Sequence, residues 1–112
     1  MTPIRTATNT AGKPIKVGST PVFIAITPDG QTADVANSGS RAVTPIRTAT
    51  NTPGNAIKVG STPVFIAITP NGQTAYVANL GSDTVTPIRT ATSTAEQPIT
   101  VGEAPFAIAI TP

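Results

Sequence analysis

The stretch "PVFIAITPNGQTAYVANLGSDTV", residues 63–85, decides the fold because it occurs almost unchanged one repeat earlier. Residues 21–43 read "PVFIAITPDGQTADVANSGSRAV". Both stretches belong to a longer repeat, since residues 2–43 and 44–85 align without a gap at a period of 42 and are identical at 34 positions. This period is typical of a β-propeller blade, although helical HEAT and armadillo units have nearly the same length.

The order of apolar runs and turn signals favours the blade. No window shows the apolar spacing of an amphipathic helix, and prolines interrupt every stretch that is long enough for a helix pair. "PVFIAIT" (63–69) is apolar on both faces, and Pro70-Asn71-Gly72 predicts a hairpin turn into "QTAYVAN" (73–79). A third strand over 84–92 and a fourth over 98–102 complete a predicted blade of four antiparallel strands.

Proline occupies one position of the third strand in every copy, as Pro3, Pro45 and Pro87. Because proline has no backbone N–H, regular pairing on both sides of an inner strand is not expected. The sequence therefore predicts a bulge or a late start in this strand.

The register of the repeat divides the chain into four parts. We predict the third and fourth strands of one blade (2–20), a complete blade (21–62), a second complete blade (63–104) and the first strand of a further blade (105–112). Propellers usually need four or more blades to close a ring. The expected architecture is thus all-β and an incomplete ring, which is part of a larger propeller or self-associates through its exposed blade edges.

The same segments resemble the YVTN-type β-propeller repeat, in which a P-x-x-I-A-I-T-P-D-G turn leads to A-Y-V-x-N and then to G-S-D-T-V. The residues Tyr76, Val77, Ala78 and Asn79 correspond to the name-giving tetrad, and the resemblance covers essentially the whole chain. Asp34 departs from the pattern because it stands where the tetrad has tyrosine, as does Arg41, which replaces an acidic residue. An aspartate at this position predicts a less well packed blade.

The resemblance implies a noncatalytic binding or interaction scaffold with a bacterial secreted, periplasmic or cell-surface role. Residues 1–10 have neither the basic nor the apolar region of a secretory signal. We expect a protein or polymer as the ligand, because propellers carry variable loops on rigid blades. No run approaches the roughly 18 apolar residues of a membrane span, so membrane insertion is not expected.

Composition excludes several kinds of chemistry. The chain has no histidine and no cysteine, which removes histidine-based triads, imidazole metal sites and thiolate sites. Most of its five acidic residues fall in predicted turns or loops, and no phosphate-binding or zinc-binding spacing appears. We therefore predict no catalytic residue, metal or cofactor, and no enzyme activity. The alternative is part of a lactonase-like or dehydrogenase-like propeller enzyme whose catalytic residues lie outside this chain.

Three arginines, Arg5, Arg47 and Arg89, recur at one blade position. Side by side on neighbouring blades they would form an arc of positive charge that could bind a polyanion. The simpler interpretation is a solvated outer-strand face. The seven Lys and Arg residues are scattered and the net charge is only +2, which argues against nucleic acid as the main partner.

Two other recurrent residue types are interpreted structurally. Phe23, Phe65 and Phe106 lie in predicted innermost strands, where packing between blades is expected rather than ligand contact. Asn37 and Asn79 end the second strand, where a side-chain amide can satisfy backbone groups of the following turn.

Overall fold

Twelve strands and no helix make up the computed structural model, which describes residues Met1–Pro112. The N-terminal hairpin (residues 2–20) contains β1 (Ile4–Arg5) and β2 (Thr10–Ala11). The first full blade (residues 21–62) contains β3 (Pro21–Ile26), β4 (Thr32–Asn37), β5 (Ala42–Arg47), β6 (Thr52–Pro53) and β7 (Ile57–Lys58). The second full blade (residues 63–104) contains β8 (Pro63–Ile68), β9 (Thr74–Asn79), β10 (Thr84–Arg89), β11 (Thr94–Ala95) and β12 (Ile99–Thr100).

Every ladder is antiparallel, and both full blades have the same strand order, β3-β4-β5-β6 and β8-β9-β10-β11. The prediction of an all-β fold built from antiparallel propeller blades is confirmed. Residues 105–112, the terminal segment, form no strand in the structure, so their role as the first strand of a further blade stays a prediction. No helix has the length and apolar character that crossing a membrane requires.

The predicted bulge or late start of the third strand is wrong for Pro45 and Pro87. β5 and β10 run through their prolines in unbroken register, with Pro45 opposite Asp34 and Pro87 opposite Tyr76. The bulge lies instead in the first strand of each blade, between Pro21 and Phe23 and one repeat later.

The fourth strand is present in each full blade but is divided into two short segments, and the prolines explain why. The outer position holds two short strands that both pair with the third, β6 and β7 in one blade and β11 and β12 in the other. The carbonyl of Pro45 accepts the N–H of Gly54 at 2.7 Å, so the side of Pro45 without a donor faces the outer position. A continuous outer ladder would need that missing donor, and the outer strand is interrupted at this point.

The hydrophobic core lies between neighbouring blades and between the N-terminal hairpin and the first full blade. Eight buried residues form one cluster between the two full blades: Ala36, Val43, Ile57, Val59, Ile66, Ala75, Val77 and Ile88. A smaller cluster of Ile15, Ala33, Val35 and Ile46 joins the N-terminal hairpin to the first full blade. Each full blade thus has two faces. The leading face is turned toward the part of the chain that precedes the blade, and the trailing face is turned toward the part that follows it. Successive residues of a strand point alternately to the two faces.

Candidate binding site on the turn face

The turn between the first and second strands is held by its own side chains in both full blades. Asp29 Oδ1 accepts hydrogen bonds from the Thr27 hydroxyl at 2.6 Å and from the Gln31 N–H at 3.0 Å. One repeat later Asn71 Oδ1 accepts the equivalent bonds from Thr69 and Gln73 at 2.7 and 3.0 Å. These turns are therefore rigid, because a short polar side chain caps the backbone groups that the turn leaves free.

The hairpin turns predicted at Asp29-Gly30 and Asn71-Gly72 are observed. Gly30 and Gly72 have φ values of 75° and 74°, which glycine adopts without strain. Their carbonyls accept the hydroxyls of Thr48 and Thr90, which follow the third strand. This bond ties the first turn of each blade to its last turn and places both on one end of the molecule, the turn face.

A polar cleft of about 610 Å³ separates the turns of the two full blades. Its walls include Pro28, Asp29 and Gln31 on one side and Asn71, Gln73 and Thr90 on the other. Gly72 lies against the Pro28 ring, and a Cβ at Gly72 would stand 3.2 Å from Pro28 Cδ. The close approach of the two blades at this point fixes the width of the cleft.

A second, outer cleft of about 380 Å³ shares Gln31 and Thr32 with the first. It also contains Arg47, Thr52 and Ser93. The two clefts therefore form one polar groove that runs outward along the turn face and passes a single cationic side chain.

The three recurrent arginines are exposed, but they are not equivalent. Each lies in the third-strand position, and the Arg89 Nη2 contacts Glu96 Oε2 at 2.8 Å in a solvent-exposed ion pair. The residue at the position of Glu96 is Gly54 in the first full blade and Gly12 in the N-terminal hairpin. Arg5 and Arg47 therefore have no acidic partner, and polyanion binding through the three arginines stays a prediction.

The three phenylalanines also differ in how far they are buried. The rings of Phe23 and Phe65 lie 4.3 Å apart, and Phe23 packs against the main core cluster. Packing between blades is the observed role of this pair. Phe106 is exposed, so the expectation of core packing does not hold for it within this chain.

Asp34 is the one buried carboxyl group. Its side chain is 4% exposed, and burial raises its pKa from the usual 3.8 to about 6. Asp34 alternates with Val35, whose side chain faces the N-terminal hairpin, and it therefore lies on the trailing face of the first full blade, with Ala36. Asp29 is exposed, and the bond from the Thr27 hydroxyl, followed by that from the Gln31 N–H, lowers its pKa. No three acidic residues lie close enough together to hold a metal ion.

The amides of Asn37 and Asn79 are buried, but they donate to the third strand of their blade and not, as predicted from the sequence, to backbone groups of the turn. Asn37 Nδ2 donates to Thr44 Oγ1 at 2.9 Å and to the Ala42 carbonyl at 3.2 Å. The Oδ1 atoms of both asparagines have no hydrogen-bond partner. These amides orient the second and third strands and do not reach the groove residues.

Sequence reasoning did not identify the groove itself. Its two walls come from turns one full repeat apart, so no local motif contains them. The signal that could have found it is the recurrence of glutamine directly after Asp29-Gly30 and after Asn71-Gly72. Equivalent turns of neighbouring blades lie at the same end of a propeller, which brings Gln31 and Gln73 to one cleft.

No family model matches the sequence, and no curated protein matches it. Among solved structures, the chain is similar to hydrazine synthase from Kuenenia stuttgartiensis, with a TM-score of 0.86 and 30% identity. The match covers 91% of this chain and 30% of that one. A functionally unknown protein from Desulfotomaculum acetoxidans DSM 771 gives a TM-score of 0.77 at 22% identity, covering 93% of this chain and 36% of that one.

Apo AztD from Citrobacter koseri gives a TM-score of 0.69 at 15% identity and covers 81% of this chain and 26% of that one. The hydrazine synthase and AztD chains are β-propellers. This chain spans between about a quarter and about a third of the length of each of these structures. The chain therefore has the fold of part of a β-propeller.

Proposed function

We propose that the chain is a noncatalytic β-propeller module of the YVTN repeat type that acts as a binding scaffold, and that its turn-face groove is the recognition surface. The observation that carries this proposal is the groove between rigid turns of neighbouring blades, with Gln31 and Gln73 on opposite walls. Turns that are already ordered lose little conformational entropy when a ligand binds.

The chemistry of the walls selects the class of ligand. Threonine hydroxyls and the carboxamides of Gln31, Asn71 and Gln73 offer donors and acceptors, and Asp29 is the only charged residue of the inner cleft. Such a surface suits a polar polymer that carries hydroxyl and amide groups and little charge. A polysaccharide built from N-acetylated sugars and an extended peptide both meet this description.

Binding can be tested by titrating the ¹⁵N-labelled chain with chitohexaose, which carries both hydroxyl and amide groups. We expect amide shifts confined to the turns that contain Gln31 and Gln73. Replacing either glutamine by alanine is expected to weaken binding about 5-fold, the value of one hydrogen bond. Gln97→Ala is the matched control, because Gln97 is equally exposed and lies outside the groove.

A second titration uses a pool of extended neutral peptides under the same conditions. If neither probe shifts the groove amides, or if the shifts spread without regard to the two glutamines, the groove is not the recognition surface.

A second candidate is supported by the similarity to a chain of hydrazine synthase, which is named as an enzyme. In this alternative the chain is a structural segment of a propeller enzyme, lactonase-like, dehydrogenase-like or other, and the reacting groups lie elsewhere. A coding sequence that extends beyond these 112 residues and adds a histidine or carboxylate cluster around one pocket would favour it over the scaffold.

A further inference from the structure

Several apolar residues are exposed in one copy of the repeat although the equivalent residue of another copy is buried. Ile24 is 44% exposed, whereas Ile66, the same position one period later, is 2% exposed because the first full blade covers it. Ile99 is 47% exposed, whereas its equivalent Ile57 is 6% exposed. The chain thus has two open apolar surfaces, one at each end of the stack of blades.

The N-terminal hairpin follows the same pattern. Ile4 is 64% exposed, and its equivalents Ile46 and Ile88 are buried to 2% and 1%. Ile4 therefore extends the open leading surface outward from Val22, Ile24 and Ile26. Exposed apolar patches of this kind mark interaction surfaces.

The two open surfaces complement each other because they repeat the two sides of the internal interface. The trailing face of the first full blade is built from Phe23, Ala25, Ala36, Val43, Ile57 and Val59. All six recur one period later on the open trailing face, as Phe65, Ala67, Ala78, Val85, Ile99 and Val101. The leading-face residues Ile66, Ile68, Ala75, Val77 and Ile88 likewise recur as Ile24, Ile26, Ala33, Val35 and Ile46. Of these, Ile24 and Ile26 are open, and the N-terminal hairpin already covers the other three.

We propose that these surfaces bind a second copy of this chain head to tail, with the terminal segment of one copy beside the N-terminal hairpin of the next. Ile4 of one copy then packs on Ile99 and Val101 of the other, as Ile88 packs with Ile57 and Val59 inside the chain. The contact between copies, called the seam below, continues the internal blade interface. This inference does not rest on the proposed function.

The seam contains a composite blade. In the aligned repeat, Ala107 and Ala109 of the terminal segment take the positions of Phe23 and Ala25, which face the next blade. They are exposed in this chain and meet the exposed Ile24 and Ile26 of the next copy. The N-terminal hairpin of that copy supplies the outer strands of the same blade.

The composite blade has no second strand. An apolar cleft of about 460 Å³ marks this position, with Met1, Val22, Ile24 and Val35 among its walls. Inside the chain the equivalent place is filled by β4, which packs on β8. The seam is consequently smaller than the internal interface.

The number of blades indicates how many copies close the ring. Each copy of residues 1–112 contributes two full blades and one composite blade, so two such copies supply six blade positions and three supply nine. Known propellers have roughly four to eight blades. The expected assembly is therefore a closed pair with two identical seams, and not a filament.

The first test is the solution mass by light scattering after size exclusion. We expect twice the 11.3 kDa chain mass at all concentrations well above the dissociation constant. Ile4→Asp and Ile24→Asp are expected to weaken the pair about 100-fold or more, since each places a carboxylate in an apolar contact. Leu80→Asp is the matched control, because Leu80 is an exposed apolar residue that lies in a turn and not on a strand face.

A wild-type monomer, or a ladder of sizes that grows with concentration, would overturn the closed pair. Loss of the pair in the Leu80 control would show that the two open surfaces do not form the contact.

The second test uses the absence of cysteine from the chain. Ile4→Cys and Ile99→Cys are made as separate single variants and treated with a short bismaleimide, alone and after mixing. A head-to-tail seam predicts a covalent pair only in the mixture. Cross-linking of either variant alone would indicate a symmetric head-to-head or tail-to-tail contact and refute the proposal, as would the absence of cross-linking in the mixture.

Discussion

Replacing Asp34 by asparagine is expected to stabilise the protein at neutral and alkaline pH and to leave its stability nearly unchanged in acid. Burial between the two full blades raises the pKa of this carboxyl from 3.8 to about 6 in the folded protein. The folded state therefore binds the proton more tightly than the unfolded chain does. The free energy of unfolding falls as pH rises from about 4 to about 6, and the loss is complete above that range.

The size of the effect follows from the same two pKa values. One pH unit of separation corresponds to about 1.4 kcal/mol, so ionised Asp34 costs the folded state about 3 kcal/mol above pH 6. This value is an upper limit, because water that enters near the carboxylate lowers the cost. Asparagine has nearly the same shape but does not ionise, so it removes the cost.

The measurement is denaturant unfolding of the wild type and of Asp34→Asn between pH 4 and pH 8. The quantity to compare is the difference in unfolding free energy, because other acidic residues then cancel. We expect this difference to grow by about 2.5 kcal/mol in favour of the variant across the range, since unfolded Asp34 is already partly ionised at pH 4. A difference that stays constant with pH would show that Asp34 is not desolvated in the folded protein.

Asp29→Asn is the matched control, since it makes the same chemical change at an exposed position. The repeat shows that the turn accepts asparagine, because Asn71 makes the same two hydrogen bonds. The bonds from Thr27 and Gln31 lower the pKa of Asp29, so its contribution is present above the unfolded pKa and is lost as pH falls. The pH dependence of the control therefore has the opposite sign, and its unfolding free energy relative to the wild type does not change with pH between pH 6 and pH 8.

Two further substitutions test the contacts of Asn79 and Gly60, which lie close together. Asn79→Ala removes a buried donor to Thr86 Oγ1 at 2.8 Å and should lower the unfolding free energy by about 2 kcal/mol, measured by denaturant titration. Gly60→Ala places a Cβ against Ser82 Oγ and 2.8 Å from Asn79 Cγ, so a loss of about 1–3 kcal/mol is expected. Gly102→Ala meets nothing within 4 Å and should stay within about 0.5 kcal/mol; a cost as large as that of Gly60→Ala would rule out the steric explanation.

The inner half of each blade could be predicted from the sequence because its signals are local. An apolar run, a turn with Gly72 at positive φ and a returning strand specify a hairpin within about 17 residues. The outer half could not be predicted in the same way. Whether the missing donor of Pro87 faces an inner or an outer neighbour depends on strand order, and only the structure shows that it faces the interrupted outer strand.

The candidate site was less predictable than the fold. Gln31 and Gln73 are unremarkable turn residues in sequence, and they become one site only when two blades stand side by side. The sequence shows that Asp34 departs from the repeat pattern and reduces apolar burial. Only the packing of the blades in the structure shows on which face it lies. The arginine position was found by periodicity alone, and the ion pair of Arg89 with Glu96 depends on a residue that the other copies lack.

Six of the eight differences between the two aligned copies fall on turns or on the outer strand and its loop. They are the pairs 11 and 53, 13 and 55, 14 and 56, 29 and 71, 38 and 80, and 41 and 83. The seventh is the pair Ala42 and Thr84 at the first residue of the third strand, and the eighth is the pair Asp34 and Tyr76, the only difference in the interior of a strand.

That single interior difference separates the internal interface from the open one. Asp34 lies between the two full blades, whereas Tyr76 is the equivalent residue on the open trailing face, where it is half-buried. A carboxyl weakens an apolar contact above its pKa, and a tyrosine ring strengthens one. The open trailing face is therefore the more apolar of the two at neutral pH, and the surface that this chain leaves uncovered is the better suited to bind another blade.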